Sequence, residues 1–169
     1  RGVKLAIRAV DALSGVDPAA WNRLDHGHSP FLEWGFLRAL EMSGSTGRPA
    51  GWAPVYLLAE VEDDAGRSEL VGAIPCFLKD HSYGEYIFDW GWARAASHAG
   101  VPYSPKLVVA APVTPATGNR ILVRRNEGDE PELVAKLLVS AVRELADATE
   151  CSSVHFLFTT EAEHRLLEE

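Results

Sequence analysis

The sequence between Glu130 and Ala148 sets the strongest limit on the fold, because its pattern is that of an amphipathic helix. Pro131 stands in the predicted first turn, where proline is favoured since the N–H group that it lacks would have no partner there. Apolar residues then recur every three or four positions, so one face of the helix has to be buried against another layer of structure. The residues of this face are Leu133, Val134, Leu137, Leu138, Ala141, Val142 and Leu145.

Two apolar runs earlier in the chain predict the sheet that such a helix needs. Pro54 to Glu62 and Glu69 to Lys79 are rich in Val, Leu and Ile, and the turn Asp63 to Arg67 (DDAGR) joins them into an antiparallel hairpin. Pro75 interrupts the second run. Because proline cannot donate a ladder hydrogen bond, it predicts a β-bulge or a sheet edge at that position.

The residues before the hairpin predict a strand and two helices. Val3 to Val10 alternates apolar and basic residues, which is typical of a half-buried strand. Asp17-Pro18 and Ser29-Pro30 each combine a helix N-cap with proline at the first helical position. We expect the first helix to end near Gly27 and the second to end at Ser43-Gly44.

Shorter elements follow the hairpin, and the chain closes with a strand and a helix. The full order is strand, two helices, several strands, long helix, strand and helix, which predicts an α/β fold with one mixed sheet flanked by helices. We expect the sheet to be antiparallel at first and to gain a parallel pair around the long helix. The shorter elements are strands at Glu85 to Trp90, Lys106 to Ala111, Arg120 to Arg124 and Val154 to Phe158, a helix at Ala93 to Gly100, and a last helix that opens with a Thr160/Glu163 capping box.

Composition and charge narrow the functional classes. The 169 residues, 47% hydrophobic and 24% charged, fit one soluble globular domain. A net charge of −8 and a pI near 5.2 argue against a dedicated nucleic-acid surface, which would need a basic stripe. No apolar run approaches the ~20 residues of a membrane span, and no signal peptide is visible. Cys76 and Cys151 are isolated, so we predict reduced cysteines and a cytoplasmic protein.

Most of the unusual chemistry lies between His81 and Arg120. Aromatic residues are interleaved there with hydrogen-bonding groups, as in a pocket for a polar organic ligand, which needs apolar walls and a few placed polar contacts. The same composition also fits a core seam, because buried Trp and Tyr direct their N–H and O–H groups to backbone partners. Composition alone leaves both interpretations open. The aromatic residues concerned are Tyr83, Tyr86, Phe88, Trp90, Trp92 and Tyr103.

Asp89, Glu85 and His81 are the candidates for catalysis in this stretch. The two carboxylates are candidate bases or amine-binding groups for acyl transfer to an amine. If Glu85 to Trp90 is a strand, both carboxylates share one face with Tyr83. The alternative is that this face is simply solvated. The histidine titrates in the range that a proton relay needs at neutral pH.

Lys106 and Arg120 are the candidate contacts for a phosphate or carboxylate group. Each lies at a strand edge next to Pro or Gly, where a side chain can point into a cleft, although a surface charge is the plainer interpretation. Trp90 and Trp92 would lie on one face of a strand, one stacking on substrate and the other in the core. The Thr/Pro/Gly turn before Arg120 either binds a ligand or merely shapes the chain. The predicted substrate-binding residues are Ser82, Tyr83, Tyr86, Trp90, Trp92, Tyr103, Lys106, Thr114, Thr117, Gly118 and Arg120.

We predict no metal site. The DHGH segment, Asp25 to His28, matches no metal-binding spacing and has no third ligand close in sequence. The sequence also lacks a nucleophile elbow, a P-loop and a dinucleotide fingerprint. A covalent mechanism through serine or cysteine therefore has no support.

Several blocks of the sequence are similar to one family. PFLEWGFLRALEMSGS, GW, GAIPCFLKDHSYGEYIFDWGWA, PYSPKL and TPATGNRIL resemble, in this order, successive blocks of the FemAB-like predicted N-acyltransferases. The resemblance covers nearly the whole chain, and blocks of this length are specific. It implies an acetyltransferase-like (GNAT) fold, with residues 1–169 as a single domain. It also implies that this domain is the truncated N-terminal half of a longer protein with two such folds in tandem.

The resemblance further implies an activity and partners. It implies transfer of an acyl or aminoacyl group to an amine, as in peptidoglycan biosynthesis, with acyl-CoA or aminoacyl-tRNA as the donor. We expect transfer at a cleft between the halves, with this half mainly recognising a small-molecule or peptide-like acceptor. The missing C-terminal half is an expected partner, and an open sheet edge would also allow a homodimer. The alternative is a non-catalytic module that binds a peptidoglycan-type or peptide ligand.

One departure from the family bears on the donor. Relatives that use CoA hold its pyrophosphate at a Gly-rich loop before the central helix. Here that position reads RRNEGDEPEL, and Glu127, Asp129, Glu130 and Glu132 surround the helix start. Acidic groups there stabilise the helix dipole and repel a pyrophosphate. We therefore predict that this half holds no cofactor.

Overall fold

The computed structural model describes residues 4–169, so Val3, the first residue of the predicted first strand, lies outside the described residues. Six strands form one mixed sheet, and helices pack on both of its faces. The α/β class predicted from the order of elements is confirmed. The strands are β1 (Lys4–Val10), β2 (Ala53–Glu62), β3 (Ser68–Lys79), β4 (Lys106–Val109), β5 (Leu122–Val123) and β6 (Val154–Phe156), and the helices are α1 (Pro18–Asn22), α2 (Trp34–Ser43), α3 (Trp90–His98), α4 (Pro131–Ala148) and α5 (Glu161–Glu168).

The strands of the sheet are ordered β1-β2-β3-β4-β6, and β5 also pairs with β3. The pairs that involve β1, β2 and β3 are antiparallel, whereas β4 and β6 are parallel. Parallel neighbours need a long crossover connection, and α4 supplies it. The predicted hairpin and the predicted parallel pair around the long helix are both confirmed.

β4 and β5 are two pieces of one strand path beside β3. Val109 pairs with Cys76 and Leu122 pairs with Ala73, so residues 110–121 leave the sheet between these pairs and return to it. We call residues 110–121 the excursion. The strand predicted from position 120 to 124 is correspondingly reduced to the two residues of β5.

The predictions made from Pro75 are wrong, and the excursion explains why proline is tolerated there. β3 is an interior strand, and the irregularity in the β2–β3 ladder lies between Ala59 and Glu60. Pro75 pairs with Tyr56 on one side and lies opposite the excursion on the other. A residue without an N–H donor is better tolerated where the ladder is interrupted.

Two apolar layers hold the helices on the sheet, one on each face. On one face, Trp21 of α1 packs edge-on against Tyr56 with ring centroids 5.9 Å apart, and Tyr56 packs against Phe77 at 6.2 Å. On the other face, α4 lies directly on β3. Gly72 permits this close approach, because a Cβ atom there would lie only 2.7 Å from Val134 Cγ1.

The apolar face of α4 is narrower than the sequence predicts. Val134, Leu138 and Val142 are buried, whereas Leu133 and Leu137 are 50% and 38% exposed. The two exposed leucines lie at the border of the stripe, beyond the width that the sheet covers.

The two early helical segments differ from their predicted bounds. α1 ends at Asn22 rather than near Gly27. The next segment begins as a 3₁₀ turn, Pro30–Leu32, and α2 follows it from Trp34. Gly44 ends α2, as predicted, in the left-handed conformation that favours glycine, with φ of 74°.

The segment Glu85 to Trp90, predicted as a strand, is a loop as far as Asp89 and begins a helix at Trp90. Tyr86 and Phe88 have φ values of 63° and 55°, which a strand does not contain. α3 begins at Trp90, earlier than the predicted Ala93. Left-handed aromatic residues are unfavourable unless their surroundings hold them, so the contacts of this loop must supply the stabilisation.

Hydrogen bonds of Glu163 and Arg120 hold the excursion against the start of α5 and against the residue that follows β6. The Glu163 carboxylate accepts hydrogen bonds from the backbone N–H groups of Arg120 and Ile121, at 2.5 and 2.7 Å. The buried Arg120 guanidinium donates to the carbonyl groups of residues 116, 119 and 157. Glu163 also completes the predicted capping box with Thr160 at the start of α5. These buried polar groups are therefore structural.

Replacing Glu163 with alanine is expected to lower the free energy of unfolding by about 1–3 kcal/mol, because two buried backbone N–H groups lose their acceptor. Glu161→Ala, in the same helical turn but exposed, is the matched control and should change stability little. Urea denaturation of both variants measures the difference. Equal losses of stability in the two variants would contradict the role of Glu163 as the acceptor that holds the excursion in place.

Candidate functional site

Lys106, the first residue of β4, lies wholly buried at the centre of a polar cluster. Its ammonium group donates hydrogen bonds to Ser82 Oγ at 2.7 Å, Glu85 Oε2 at 2.8 Å and Asp89 Oδ2 at 2.9 Å. Tyr103 OH donates to the same Asp89 oxygen at 2.5 Å. The structure thus brings together five of the predicted site residues around one ammonium group.

A second buried lysine lies beside the first, on the neighbouring strand of the sheet. Lys79, at the end of β3, is directly opposite Lys106 in the β3–β4 register, where two like charges would repel. Glu85 bridges them, because one of its oxygens binds Lys106 and the other lies 3.7 Å from Lys79 Nζ. Lys79 Nζ also lies 3.7 Å from the Trp52 ring centre and donates to the Tyr83 carbonyl at 3.0 Å. We call Lys79, Ser82, Glu85, Asp89, Tyr103 and Lys106 the lysine–carboxylate cluster.

The cluster contains two ammonium groups and two carboxylates, which perturb one another. Burial raises the pKa of Asp89, but hydrogen bonds from Tyr103, Lys106 and a serine hydroxyl outweigh it and lower the pKa to about 2. Burial, together with the bond to Asp89, raises the pKa of Tyr103, so the phenol remains a donor. Burial lowers the pKa of Lys79 to about 8, against the attraction of Glu85. Asp89 is therefore a fixed anion at neutral pH.

The loop between β3 and α3 turns Glu85 and Asp89 inward and its aromatic side chains outward. Glu85 and Asp89 are buried, whereas Tyr86 and Phe88, at the left-handed positions, are exposed. Gly84, with φ of 79°, precedes this pattern, and a Cβ atom there would lie 2.8 Å from a side-chain atom of the excursion. The ion pairs of the two carboxylates hold the strained loop in this conformation.

A pocket of about 400 Å³ lies between α3, the segment that follows it and β6. We call it the α3 pocket. Trp92, Ala96, Val101 and Pro102 contribute to its apolar wall. The pocket therefore offers apolar surface, to which Trp92 and the unpredicted aliphatic residues contribute.

The polar side of the α3 pocket is shared with the lysine–carboxylate cluster. Asp89 and Tyr103 belong to both, and Ser152, Ser153 and His155 complete the polar wall. Asp89 Oδ1 is buried and has no hydrogen-bond partner within residues 4–169. The pocket is thus lined by a charged side chain whose Oδ1, closed to solvent in this structure, still has the capacity to accept a hydrogen bond.

Several residues of this site were not predicted from the sequence. Among them, Lys79 belongs to the cluster, Trp52 packs against Lys79, and Ser153 and His155 line the pocket. The sequence did contain signals for these residues. Lys79 is a lysine at the end of an apolar run, which is unusual. Ser153 and His155 alternate with apolar residues of a strand, so they must point to the face opposite those residues.

A family model described as FemAB-like, for peptidoglycan biosynthesis/recognition, matches residues 12–169. The chain belongs to the FemAB-like family. Neither the curated proteins nor the solved structures contain a significant match to it. The matched range of this FemAB-like chain includes the whole lysine–carboxylate cluster and the α3 pocket.

Four aromatic residues predicted to bind substrate lie at the surface of the FemAB-like chain. Trp90 and Trp92 are 64% and 75% exposed, so the expectation that one of them belongs to the core is wrong. They stand in the first turn of α3 rather than in a strand. Tyr83 and Tyr86 are exposed as well. Of these four, Trp92 is the one that lines the α3 pocket.

His81, predicted as a proton relay, lies beside the cluster. Its Nδ1 accepts a hydrogen bond from the Tyr83 backbone N–H at 3.2 Å, and its ring covers Gly51. None of its hydrogen bonds within the described range reaches Glu85 or Asp89. Its catalytic role stays a prediction.

Lys106 and Arg120 were expected to point into a cleft, and this expectation is wrong. Both side chains are wholly buried. Lys106 meets carboxylates of the same chain, and Arg120 meets backbone carbonyl groups. Neighbouring loops cover both positions, so neither strand end opens into a cleft.

The remaining predicted binding residues belong to the excursion. Thr114 Oγ1 donates to the Pro112 carbonyl at 2.9 Å and so shapes the turn. Gly118 is buried, and a Cβ atom there would lie 3.0 Å from Ser29 Cβ. Thr117 is exposed. A ligand-binding role for Thr114, Thr117 and Gly118 stays a prediction.

A second groove, of about 590 Å³, opens at the start of α4. Asp129 accepts hydrogen bonds from the Arg124 guanidinium at 2.9 and 2.7 Å, and Glu69 accepts another at 2.9 Å. Two carboxylates thus take up the positive charge of Arg124, while Glu127 and Glu130 line the same groove. This charge distribution is unfavourable for a pyrophosphate.

Within the described part of the chain, no three His, Cys, Asp or Glu side chains are grouped as metal ligands would be. No helix among residues 4–169 combines the length and the apolar character needed to cross a membrane. Cys76 is buried and Cys151 half-buried, and both are free thiols.

Proposed function

We propose that the α3 pocket binds the amine of an acceptor molecule in an acyl- or aminoacyl-transfer reaction related to peptidoglycan. The observation that carries the proposal is Asp89, which lines the pocket, is held as an anion by its neighbours and has one oxygen that no described residue contacts through a hydrogen bond. An amine at this wall supplies the hydrogen-bond donor that Oδ1 lacks once the Asp89 carboxylate turns toward the pocket.

Charge and shape both favour a protonated amine on an apolar stem. The net charge of −8 attracts cations to the chain. The wall formed by Trp92, Ala96 and Val101 offers apolar surface to methylene groups. A lysine side chain combines the two features, and a peptide-like acceptor that carries one fits the family description.

Asp89 in this proposal binds and orients the amine and does not remove its proton. A carboxylate with a pKa of about 2 is a weak base at neutral pH. Glu85 holds the two lysines and thereby fixes the position of Asp89. Of the two roles predicted for these carboxylates, amine binding is therefore the one that their surroundings support.

The finer fold assignment is also part of the proposal. A strand, two helices, an antiparallel meander, a central helix, a strand and a helix follow one another as in a GNAT-like acyltransferase. We propose that a C-terminal half of the same kind completes the transfer site and binds the donor, either an acyl-CoA or an aminoacyl-tRNA. The acidic groove at the start of α4 supports a donor site outside this half.

Acetyl-CoA is expected to show no binding to this chain with a dissociation constant below about 1 mM. The reason is that Arg124 is already paired, while Glu127 and Glu130 repel phosphate groups at the helix start. Isothermal titration calorimetry checks this expectation. Saturable binding that disappears in Arg124→Gln would contradict it.

A non-catalytic module for a peptidoglycan-type or peptide ligand is the second candidate function. The observation in its favour is that both carboxylates of the cluster are committed to ion pairs with lysines. Under this candidate, the same pocket binds the same amine, and no acyl group is transferred.

Calorimetric titration with Nα-acetyl-lysine amide tests the amine-binding proposal, with Nα-acetyl-norleucine amide as the matched control ligand. The two compounds differ in the ε-amine. The lysine compound is expected to bind about tenfold more tightly or better, because a charge-assisted hydrogen bond contributes about 1.5–3 kcal/mol. Equal affinities, or binding of neither compound, would contradict the proposal.

A transfer assay separates the two candidate functions. The chain and the longer protein are incubated with the lysine amide and either acetyl-CoA or an aminoacyl-tRNA, and the products are analysed by mass spectrometry. An N-acylated lysine supports the transferase. Binding without product for both donors supports the binding module.

A further inference from the structure

His155 of β6 lines the α3 pocket, and the proposed function gives it no role. Its Nε2 lies 2.8 Å from Ser153 Oγ, and its ring centre lies 6.4 Å from that of Tyr103. Val154 and Phe156, on either side of it, pack into the apolar layer with α4. The alternation of a strand therefore directs His155 to the opposite face, toward the pocket.

We propose that His155 is the base that takes the proton from the acceptor amine, a role that rests on the proposed function. The acceptor, bound as an ammonium ion, first gives one proton to solvent through the neutral imidazole, and this frees the lone pair of its nitrogen. The amine nitrogen then attacks the carbonyl carbon of an acyl ester or thioester, so that a C–N bond forms and the C–O or C–S bond breaks. The nitrogen loses its proton to the one basic nitrogen of the neutral imidazole. The leaving oxygen or sulfur keeps the bonding electron pair and then takes the proton from the imidazolium. Ser153 is a positioning residue, because its contact at Nε2 orients the ring.

The groups around His155 keep its ring neutral. Lys106 faces it from β4, Glu85 and Asp89 from the loop before α3, and the Tyr103 phenol from the segment before β4. Burial, followed by the positive charge of Lys106, lowers the pKa of His155 against the opposing effect of the two carboxylates. The neutral imidazole is the form that can accept a proton at pH 7.

Asp89 and His155 thus have different roles, and the positive charge of Lys106 contributes to both. The Lys106 ammonium holds Asp89 as an anion and disfavours a proton on His155. Neighbouring groups whose pKa values are driven apart in this way divide the binding and proton-transfer steps between them. The anion holds the amine, and the neutral ring takes the proton.

NMR titration of the chain labelled with ¹⁵N-histidine tests the placement of the base. The His155 signal is assigned by its loss in His155→Gln, and exposed His98 is the internal reference. In the free chain, the pKa of His155 is expected to lie below the ordinary value of a histidine side chain. Saturating Nα-acetyl-lysine amide should lower it by about half a pH unit more, the effect of a unit charge at roughly 6 Å in a water-like dielectric. The norleucine compound should leave it unchanged.

Two outcomes distinguish this inference from the proposed function. If the lysine amide binds by calorimetry and the titration of His155 does not change, the base assignment is overturned while the amine pocket stands. If the amide does not bind, the proposed function fails and the base assignment fails with it.

The catalytic role itself is measured in the transfer assay. With the donor that yields product, His155→Gln is expected to lower kcat about 100-fold or more at unchanged affinity for the lysine amide, and to remove the acid limb of the pH–rate profile. His98→Gln is the matched control. A His155→Gln variant with the parent's kcat and pH profile would overturn the assignment, and a failure of every donor would remove the reaction that it serves.

Discussion

Replacing Lys106 with methionine is expected to lower the free energy of unfolding by about 3–5 kcal/mol. The ammonium group is wholly buried and binds Glu85 and Asp89 at 2.8 and 2.9 Å, so its removal leaves two buried carboxylates without their main counter-charge. Methionine keeps the length of the apolar stem, and the substitution therefore isolates the charge. Urea denaturation monitored by circular dichroism measures the loss.

Two further variants show whether the loss comes from the buried charges. Lys136→Met removes an ammonium from an exposed pair with Glu169 and should change stability little. Adding Glu85→Gln and Asp89→Asn to Lys106→Met should recover part of the loss, because neutral amides need no counter-charge. A Lys106→Met variant as stable as the Lys136→Met variant would contradict the description of the cluster.

Asp89→Asn is expected to weaken the binding of Nα-acetyl-lysine amide about tenfold or more, and to leave the weaker binding of the norleucine compound unchanged. Asparagine keeps the shape of the side chain but removes the charge that the amine recognises. Asp80→Asn, on the same loop but exposed, is the matched control. Calorimetry on variants that circular dichroism shows to be folded gives the comparison.

A second substitution tests the apolar wall of the same pocket. Trp92→Ala should weaken both compounds alike, because it removes wall surface and leaves Asp89 in place. Trp92 is exposed, so its loss should not unfold the chain. Unchanged affinities in both Asp89→Asn and Trp92→Ala would place the amine elsewhere.

Asp89 also gives the stability of the chain a characteristic dependence on pH. Its folded-state pKa of about 2 lies below the usual value of roughly 3.9 for an aspartate, so the unfolded chain takes up the proton more readily. Its contribution to stability is full above about pH 4 and is lost as the pH falls toward 2. Urea midpoints between pH 5 and 2 should converge for the parent chain and Asp89→Asn, whereas parallel curves would contradict the lowered pKa.

The long elements of the fold were predictable because their signals are local. The helical spacing and Pro131 gave the position of α4, and the Asp63 to Arg67 turn between two apolar runs gave the β2–β3 hairpin. The order of these elements then determined the α/β class and the parallel pair. By contrast, the predictions made from Pro75 were wrong. Proline is tolerated there because the ladder is interrupted beside it, and this interruption is apparent only from the path of the excursion.

The site was predictable in its residues but not in its geometry. Glu85 and Asp89 were expected on one face of a strand, and they do point to one side. Left-handed residues in a loop produce this arrangement, however, since Tyr86 and Phe88 have positive φ. Nothing local in an aromatic residue signals such a conformation, which depends on tertiary contacts.

Buried charges were the second feature that local patterns could not place. A lysine at a strand end usually reaches solvent, so Lys106 was expected to point into a cleft. Its register partner is Lys79, and two lysines facing each other at the ends of apolar runs require carboxylates between them. Pairing the strands first and then asking where the opposed charges are neutralised would have located the cluster.

The measurement that tests the account most directly is a ¹⁵N amide NMR map of the chain titrated with Nα-acetyl-lysine amide. The account predicts saturable shifts at residues that line the α3 pocket, such as Ala96, Val101 and Ser153, and their loss in Asp89→Asn. Shifts confined to Gly128 and Leu133, in the groove at the start of α4, would contradict it, as would the absence of any saturable shift.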